Sequence, residues 1–190
     1  MINKQSISKS ITICLGALLI GTSYSCKNES ESVDAAEEIN DDRFEDNSKE
    51  NDAEFIVDAA TMDLKNIELA KLAMRSSNSD IKANTKMMEE GHTKLYNEIK
   101  MLAEQKQIAI PLSIGTDAIN EYKDLNDKTG TDFDKKYLDV MINNHEDVIK
   151  KYESYVEDSK DAEIKTWAVN TLAGLRTHLQ HTKDLKEKYK

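Results

Sequence analysis

From about residue 53 to the C-terminal end, apolar residues recur every three or four positions, the period of an amphipathic helix. The pattern predicts four long helices. The first covers about Ala53 to Arg75, with Asn51 and Glu54 spaced as a capping box, and its stripe is Ala60, Leu64, Ile67, Glu68 and Leu72. Ser76 to Ser79 reads as a tight turn in which Ser79 caps the next helix. That second helix, about Asp80 to Gln105, aligns Ile81, Met88, His92, Leu95, Ile99 and Leu102. The third, about Asp132 to Glu157 behind a Thr131/Asp134 capping box, aligns Leu138, Met141, Ile142, His145, Val148, Ile149 and Tyr152. Ser159 is expected to cap the fourth, about Lys160 to Lys188, whose stripe is Ile164, Trp167, Ala168, Thr171, Leu175, His178 and Leu185.

Between the second and third stretches lies a long connection, residues 106–131, holding the chain's one proline, Pro111. Ile119, Tyr122 and Leu125 predict a short helix there, ending near Gly130. Short, long and short connections imply an all-α domain over residues 53–190. The expected architecture is a ferritin-like four-helix bundle with one long crossover between helices 2 and 3. An up-down-up-down bundle is the alternative. No strand-like alternation competes, and one proline and six glycines in 190 residues agree with an all-helical chain.

Upstream of the periodic region the chemistry changes. Lys4 and Lys9 precede a ten-residue apolar run, Ile11 to Ile20, too short to span a bilayer and of the length of a secretory core. Ser23-Tyr24-Ser25-Cys26 follows, so residues 1–25 read as a lipoprotein-type signal peptide with a relaxed lipobox and Cys26 as the lipidated residue. An ordinary signal peptide cleaved nearby is the alternative. Cys14 would leave with the signal, and no thiol would remain for a disulfide. Residues 26–52 are expected to be an acidic, disordered tether. Residues 27–52 hold eleven Asp/Glu against three Lys/Arg, whereas residues 53–190 are nearly balanced. That acidity, with no basic patch elsewhere, argues against nucleic acid as a partner. The expected location is the cell envelope, on a membrane (the outer membrane, facing periplasm or surface).

The candidate chemistry sits on the apolar stripes. His92, His145 and His178 each interrupt the buried face of a different helix, and Glu68 does so on a fourth. Buried polar groups are costly unless partnered, so four such positions suggest a site inside the domain. At ~1.5 Å per residue all four fall within about 10 Å along the axis in either topology. Imidazoles with one carboxylate suit a single Cu, Zn, Ni or Fe ion. Glu89 and His92 form a Glu-x-x-His pair of the kind carboxylate-bridged di-iron bundles use, but Leu175 stands where its counterpart on the fourth helix should be. A di-iron oxidase is therefore disfavoured. Met88 with His92, and Met141 with His145, repeat a Met-x-x-x-His spacing that would favour copper, with core filling as the competing explanation. His181 lies at the edge of the fourth stripe and reads as solvated. A metal-free Glu–His hydrogen-bond network is the competing account of the whole set. Nothing supports covalent catalysis: no Gly-x-Ser-x-Gly elbow, phosphate loop or remaining free cysteine is present.

Phe55 to Ala73 (FIVDAATMDLKNIELAKLA), Met87 to Leu102 (MMEEGHTKLYNEIKML), Phe133 to His145 (FDKKYLDVMINNH) and Trp167 to Leu185 (WAVNTLAGLRTHLQHTKDL) together resemble a bacterial envelope family. That family is known as a domain of unknown function and described as outer-membrane proteins. The likeness covers about residues 54–188 and implies a ferritin-like bundle, with Glu68, His92, His145 and His178 at recurring positions. Two departures stand out: Leu172-Ala173-Gly174, where the family often has a proline, and Gly91, where an aspartate is common. The resemblance implies no activity. The expectation is a lipid-anchored protein that binds one metal ion through His92, His145, His178 and Glu68 without turnover. Met88, Met141 and Glu89 are reserve ligands. An envelope-protein partner for a metal-free module is the alternative.

Overall fold

A computed structural model of the chain describes residues 31–189. The segment expected to be a signal peptide, and Cys26, lie outside the described residues. Six helices make up the described chain: α1 (Glu31–Arg43), α2 (Asn47–Ala73), α3 (Ser79–Lys106), α4 (Thr116–Asn126), α5 (Gly130–Asp158) and α6 (Ala162–Lys188). Among the described residues there is no strand, and no helix is long and apolar enough to cross a membrane.

Side-chain chemistry explains three of the helix starts. Asp46 caps α2 by accepting from Ser48 N–H, Asn78 caps α3 by accepting from Asp80 and Ile81, and Asp161 caps α6 through Glu163 and Ile164. The caps expected at Asn51, Ser79 and Ser159 are thus each displaced to another short polar residue nearby. α5 starts at Gly130, whose φ of +55° is a left-handed value that glycine adopts without steric cost, and no side chain caps it. The Thr131/Asp134 box therefore does not form the cap.

α2 and α3 pack along their length, as do α5 and α6; α2 also meets α5, and α3 meets α6. Pairings fix the directions. Asp58 pairs with Lys151 and Lys65 with Asn144, so α2 and α5 are antiparallel. Asp80 meets Lys188 and Lys106 meets Asp161, so α3 and α6 are antiparallel too. Arg75, just past α2, donates to the carbonyls of Leu125, Asn126 and Lys128 and lies 4.2 Å over the Phe133 ring. The long connection therefore begins at the far end of α3 and returns to the end where α2 finished.

Within residues 31–52, expected as part of a disordered tether, residues 31–43 form α1 and residues 47–52 open α2. α1 packs on α2, burying Ala36 and Asn40. Asn40 both donates to the Ala109 carbonyl and accepts from its N–H. Ser32 accepts from Leu112 N–H, and Arg43 donates to the Gln107 carbonyl. Composition misled because a short amphipathic strap has the unpaired backbone of the crossover to bind.

Two apolar clusters fill the interior. One gathers Phe55, Ile56, Ile99, Tyr152, Ile164 and Leu175, the other Leu69, Ile81, Met88, Phe133, Leu138 and Met141. Between them in sequence, on every long helix, lies a polar residue: Asp63, His92, His145 and His178. The site is the layer where the two cores meet.

Candidate metal centre

Each histidine reaches the layer because its neighbours one turn away are core residues. His92 follows Met88 by four positions, His145 follows Met141 by four and precedes Val148 by three, and His178 follows Leu175 by three. The rings converge. Centroids lie 5.1 Å apart for His92–His145, 5.4 Å for His92–His178 and 5.6 Å for His145–His178. One ligating nitrogen from each falls within 4.8 Å of the others. His92 and His145 are 1% and 0% exposed, whereas His178 is half-buried.

The carboxylate of the layer is Asp63, not Glu68. Asp63 Oδ1 lies 2.8 Å from His92 Nδ1, and the residue is 3% exposed. Glu68 instead points outward to an ion pair with Lys71. The signal for Asp63 was present: it follows Ala60 by three and precedes Ile67 by four, a spacing that fits the buried face as well as Leu64 and Glu68. Those last two are half-buried, so the stripe drawn from sequence was one residue off.

The remaining expected ligands stay apart from the cluster. Glu89 is half-buried and lines a surface depression with Lys86, Glu90 and Lys94. Met88 and Met141 are fully buried within the second apolar cluster. Met141 does serve the site, but through its backbone: its carbonyl lies 2.7 Å from His145 Nδ1.

These contacts fix protons. A carbonyl only accepts, so His145 Nδ1 carries hydrogen and the neutral ring presents a bare Nε2. That Nε2 faces His92 Nε2 at 3.2 Å. With Asp63 as a carboxylate, His92 also holds its proton on Nδ1, and two lone pairs oppose each other. Only a cation between the rings relieves that contact. With Asp63 protonated, its O–H donates to His92 Nδ1 and His92 Nε2–H donates to His145, and the chain closes without a metal. Burial raises the Asp63 carboxyl well above the ordinary range, with Glu98 adding to it. Burial also lowers His92 to about 4, His145 to about 3 and His178 to about 4, so all three rings are neutral, the ligand form, at neutral pH.

Within this cluster, Asp63 Oδ2 and His178 Nδ1 are buried without hydrogen-bond partners. A divalent ion about 2.0–2.1 Å from each nitrogen sets tetrahedral nitrogens about 3.3 Å apart. The His92–His145 separation already matches, and the other nitrogen pairs lie within 4.8 Å. Asp63 on His92 and the Met141 carbonyl on His145 are the partners that metal-bound imidazoles normally have. The residues fit a metal held by three nitrogens with a fourth position open.

The family model for a domain of unknown function, DUF4142, matches residues 40–185. The chain belongs to the DUF4142 family. No curated protein and no solved structure matches it. The matched span includes the end of α1, which agrees with α1 belonging to the folded unit. Of the two family departures, α6 runs unbroken through Leu172 to Gly174. Gly91 bears directly on the site: a β-carbon there would stand 2.4 Å from His178 Cε1 and 2.8 Å from Nε2.

Proposed function

We propose that this DUF4142 protein binds one transition-metal ion inside a ferritin-like four-helix bundle, through His92, His145 and His178. Asp63 orients His92 and neutralises one charge of the ion. The observation that carries this reading is the 3.2 Å approach of two imidazole Nε2 atoms whose other nitrogens are committed to Asp63 and the Met141 carbonyl. The orphaned His178 Nδ1 supports it. An all-imidazole donor set suits Cu, Zn, Ni or Fe and gives no reason to prefer two ions over one.

The setting proposed for this site is the cell envelope. The chain would be exported by its lipoprotein-type signal, lipidated at Cys26 and held on the outer membrane. Metal sequestration, sensing or envelope stress tolerance without turnover is the role that an enclosed site with no nucleophile supports. A metal-free structural or interaction module is the second reading, favoured by the raised Asp63 carboxyl, which lets the polar layer satisfy itself with a proton.

Thermal unfolding of chelator-stripped full chain separates the two. An ion that binds only the folded state raises the midpoint, by about 2.7 kcal/mol of stability at a hundredfold excess over Kd. Zn(II), Cu(I), Cu(II), Ni(II) and Fe(II) are each compared with Mg(II). A rise for at least one of the five, lost in His92→Ala, supports the site. No rise for any leaves the second reading.

A further inference from the structure

A groove of about 390 Å³ runs along the seam between the start of α3 and the end of α6. Asp80, Asn84 and Met87 line it from α3, and His181, Asp184 and Lys188 from α6. The spacing explains the shape. Residues 80, 84, 87 and 91 form one face of α3, and residues 178, 181, 184 and 188 face them in the opposite direction from α6. Lys188 meets Asp80 at 3.6 Å at one end, and His178 covers Gly91 at the other. The groove therefore stops one turn short of His178. His178 is also the one triad member with an exposed edge, since His92 and His145 are sealed.

Asn84 adds an independent sign of a ligand. It is 7% exposed and lines the groove. Its Nδ2 donates to Thr182 Oγ1 at 3.3 Å, and that hydroxyl donates to the His178 carbonyl at 2.9 Å. Its Oδ1 is buried and has no partner among the described residues, an unmet acceptor beside the groove.

We propose that the α3–α6 groove is the capture site and uptake route of the metal, in which His181 and Asp184 take the cation from solvent and pass it to His178. This rests on the metal reading above. The groove is not a second store: among the described residues, the three triad histidines are the group with chelating spacing. Weak, exchangeable ligands on the rim suit a hand-over, because an ion held too tightly there would not move on. His178 lies one turn from His181 on the same helix face, so a ring swing past the bare backbone of Gly91 shifts the ion inward.

Loading kinetics test this. Chelator-stripped full chain is mixed with Zn(II) held by a chromophoric chelator, and transfer is followed for wild type, His181→Ala and Asp184→Asn. Both side chains are exposed, so folding is not at stake. The expected result is loading roughly tenfold slower in each variant and slower still in high salt, with the same final Zn(II) per chain. Wild-type loading rates in both variants would overturn the route while leaving the site standing. A lower final stoichiometry in His181→Ala would also overturn it, by making His181 a ligand. Wild type that takes up no Zn(II) at equilibrium, and none of the other ions above, would remove the site and the route together.

Discussion

The His178 ring occupies the space that a β-carbon on Gly91 would need, 2.4 Å from the nearest ring atom. α3 therefore gives up a side chain at a helix-interior position so that α6 can bring an imidazole into the layer. Glycine there costs about 0.5–1 kcal/mol of helix stability relative to alanine, and the ring is what it makes room for. Gly91→Ala is predicted to displace His178. Metal affinity then falls by at least the roughly 10–100-fold expected for losing an orienting partner, while the unfolding midpoint of the stripped protein changes little or rises. Titration against a chelator of known affinity reads the first, and denaturant unfolding the second. Unchanged affinity would mean that His178 is not a ligand.

Asp63 and Glu68 separate sharply. Asp63→Asn keeps an acceptor for His92 but removes the charge, and a drop of roughly 10–100-fold in metal affinity is expected. Glu68→Gln touches only a surface ion pair with Lys71 and is expected to change affinity negligibly and stability by less than about 0.5 kcal/mol. The reverse ranking would restore the carboxylate expected from sequence.

Metal uptake should move a proton. In the closed metal-free chain Asp63 is protonated and His92 Nε2–H faces His145. Binding strips His92 Nε2, shifts that ring's hydrogen to Nδ1 and leaves Asp63 a carboxylate. About one proton per ion is released near neutral pH, measurable by calorimetry in buffers of different ionisation enthalpy. Asp63→Asn, whose amide N–H donates to His92 Nδ1 in the stripped chain and whose amide oxygen accepts from Nδ1–H once metal binds, has no proton to lose and should release close to none.

Much of this was legible in the residue pattern, and the failures have physical causes. Period located the long helices of an all-helical chain, because a buried stripe repeats several times per helix and tolerates local noise. The three histidines were visible for the same reason: each replaces a residue in a row of apolar neighbours. The partner carboxylate was not. On α2 small alanines and half-buried Leu64 and Leu72 make the stripe wide, and a single-residue rotation of about 100° exchanges Asp63 for Leu64 and Ile67 for Glu68. α1 was hidden by its acidity, since its anchoring groups, Asn40 and Ser32, bind backbone 80 or fewer residues away and leave no periodic trace.

Acid should weaken the stripped protein early. The folded-state values of about 4, 3 and 4 for His92, His145 and His178 lie below the ordinary 6.5. Between pH 6.5 and about 4 the unfolded chain binds protons that the folded one refuses, so stability rises with pH there. The contribution of the three rings is fully present above about 6.5 and is lost as pH falls toward 4 to 3. Denaturant midpoints from pH 4 to 7 should show this slope, and a His92/His145/His178→Leu variant should flatten it. A slope unchanged in that variant would place the acid sensitivity elsewhere.

Asn40 tests whether α1 is part of the fold. It is 4% exposed and makes two hydrogen bonds to Ala109. Asn40→Ala leaves both backbone groups unpaired and should cost about 1–3 kcal/mol. It should also expose residues 31–46 to protease while the long helices stay intact. Equal protease resistance in variant and wild type would return α1 to the tether.

The central claim is that the layer between the two cores holds a metal ion. Elemental analysis of full chain, stripped, re-equilibrated with Zn(II), Cu(I), Cu(II), Ni(II) or Fe(II) and freed of unbound ion, measures it directly beside the His92/His145/His178→Ala variant. The account predicts about one ion per wild-type chain for at least one of these metals and none in the variant. No retained ion in wild type, or equal retention in both, would contradict it.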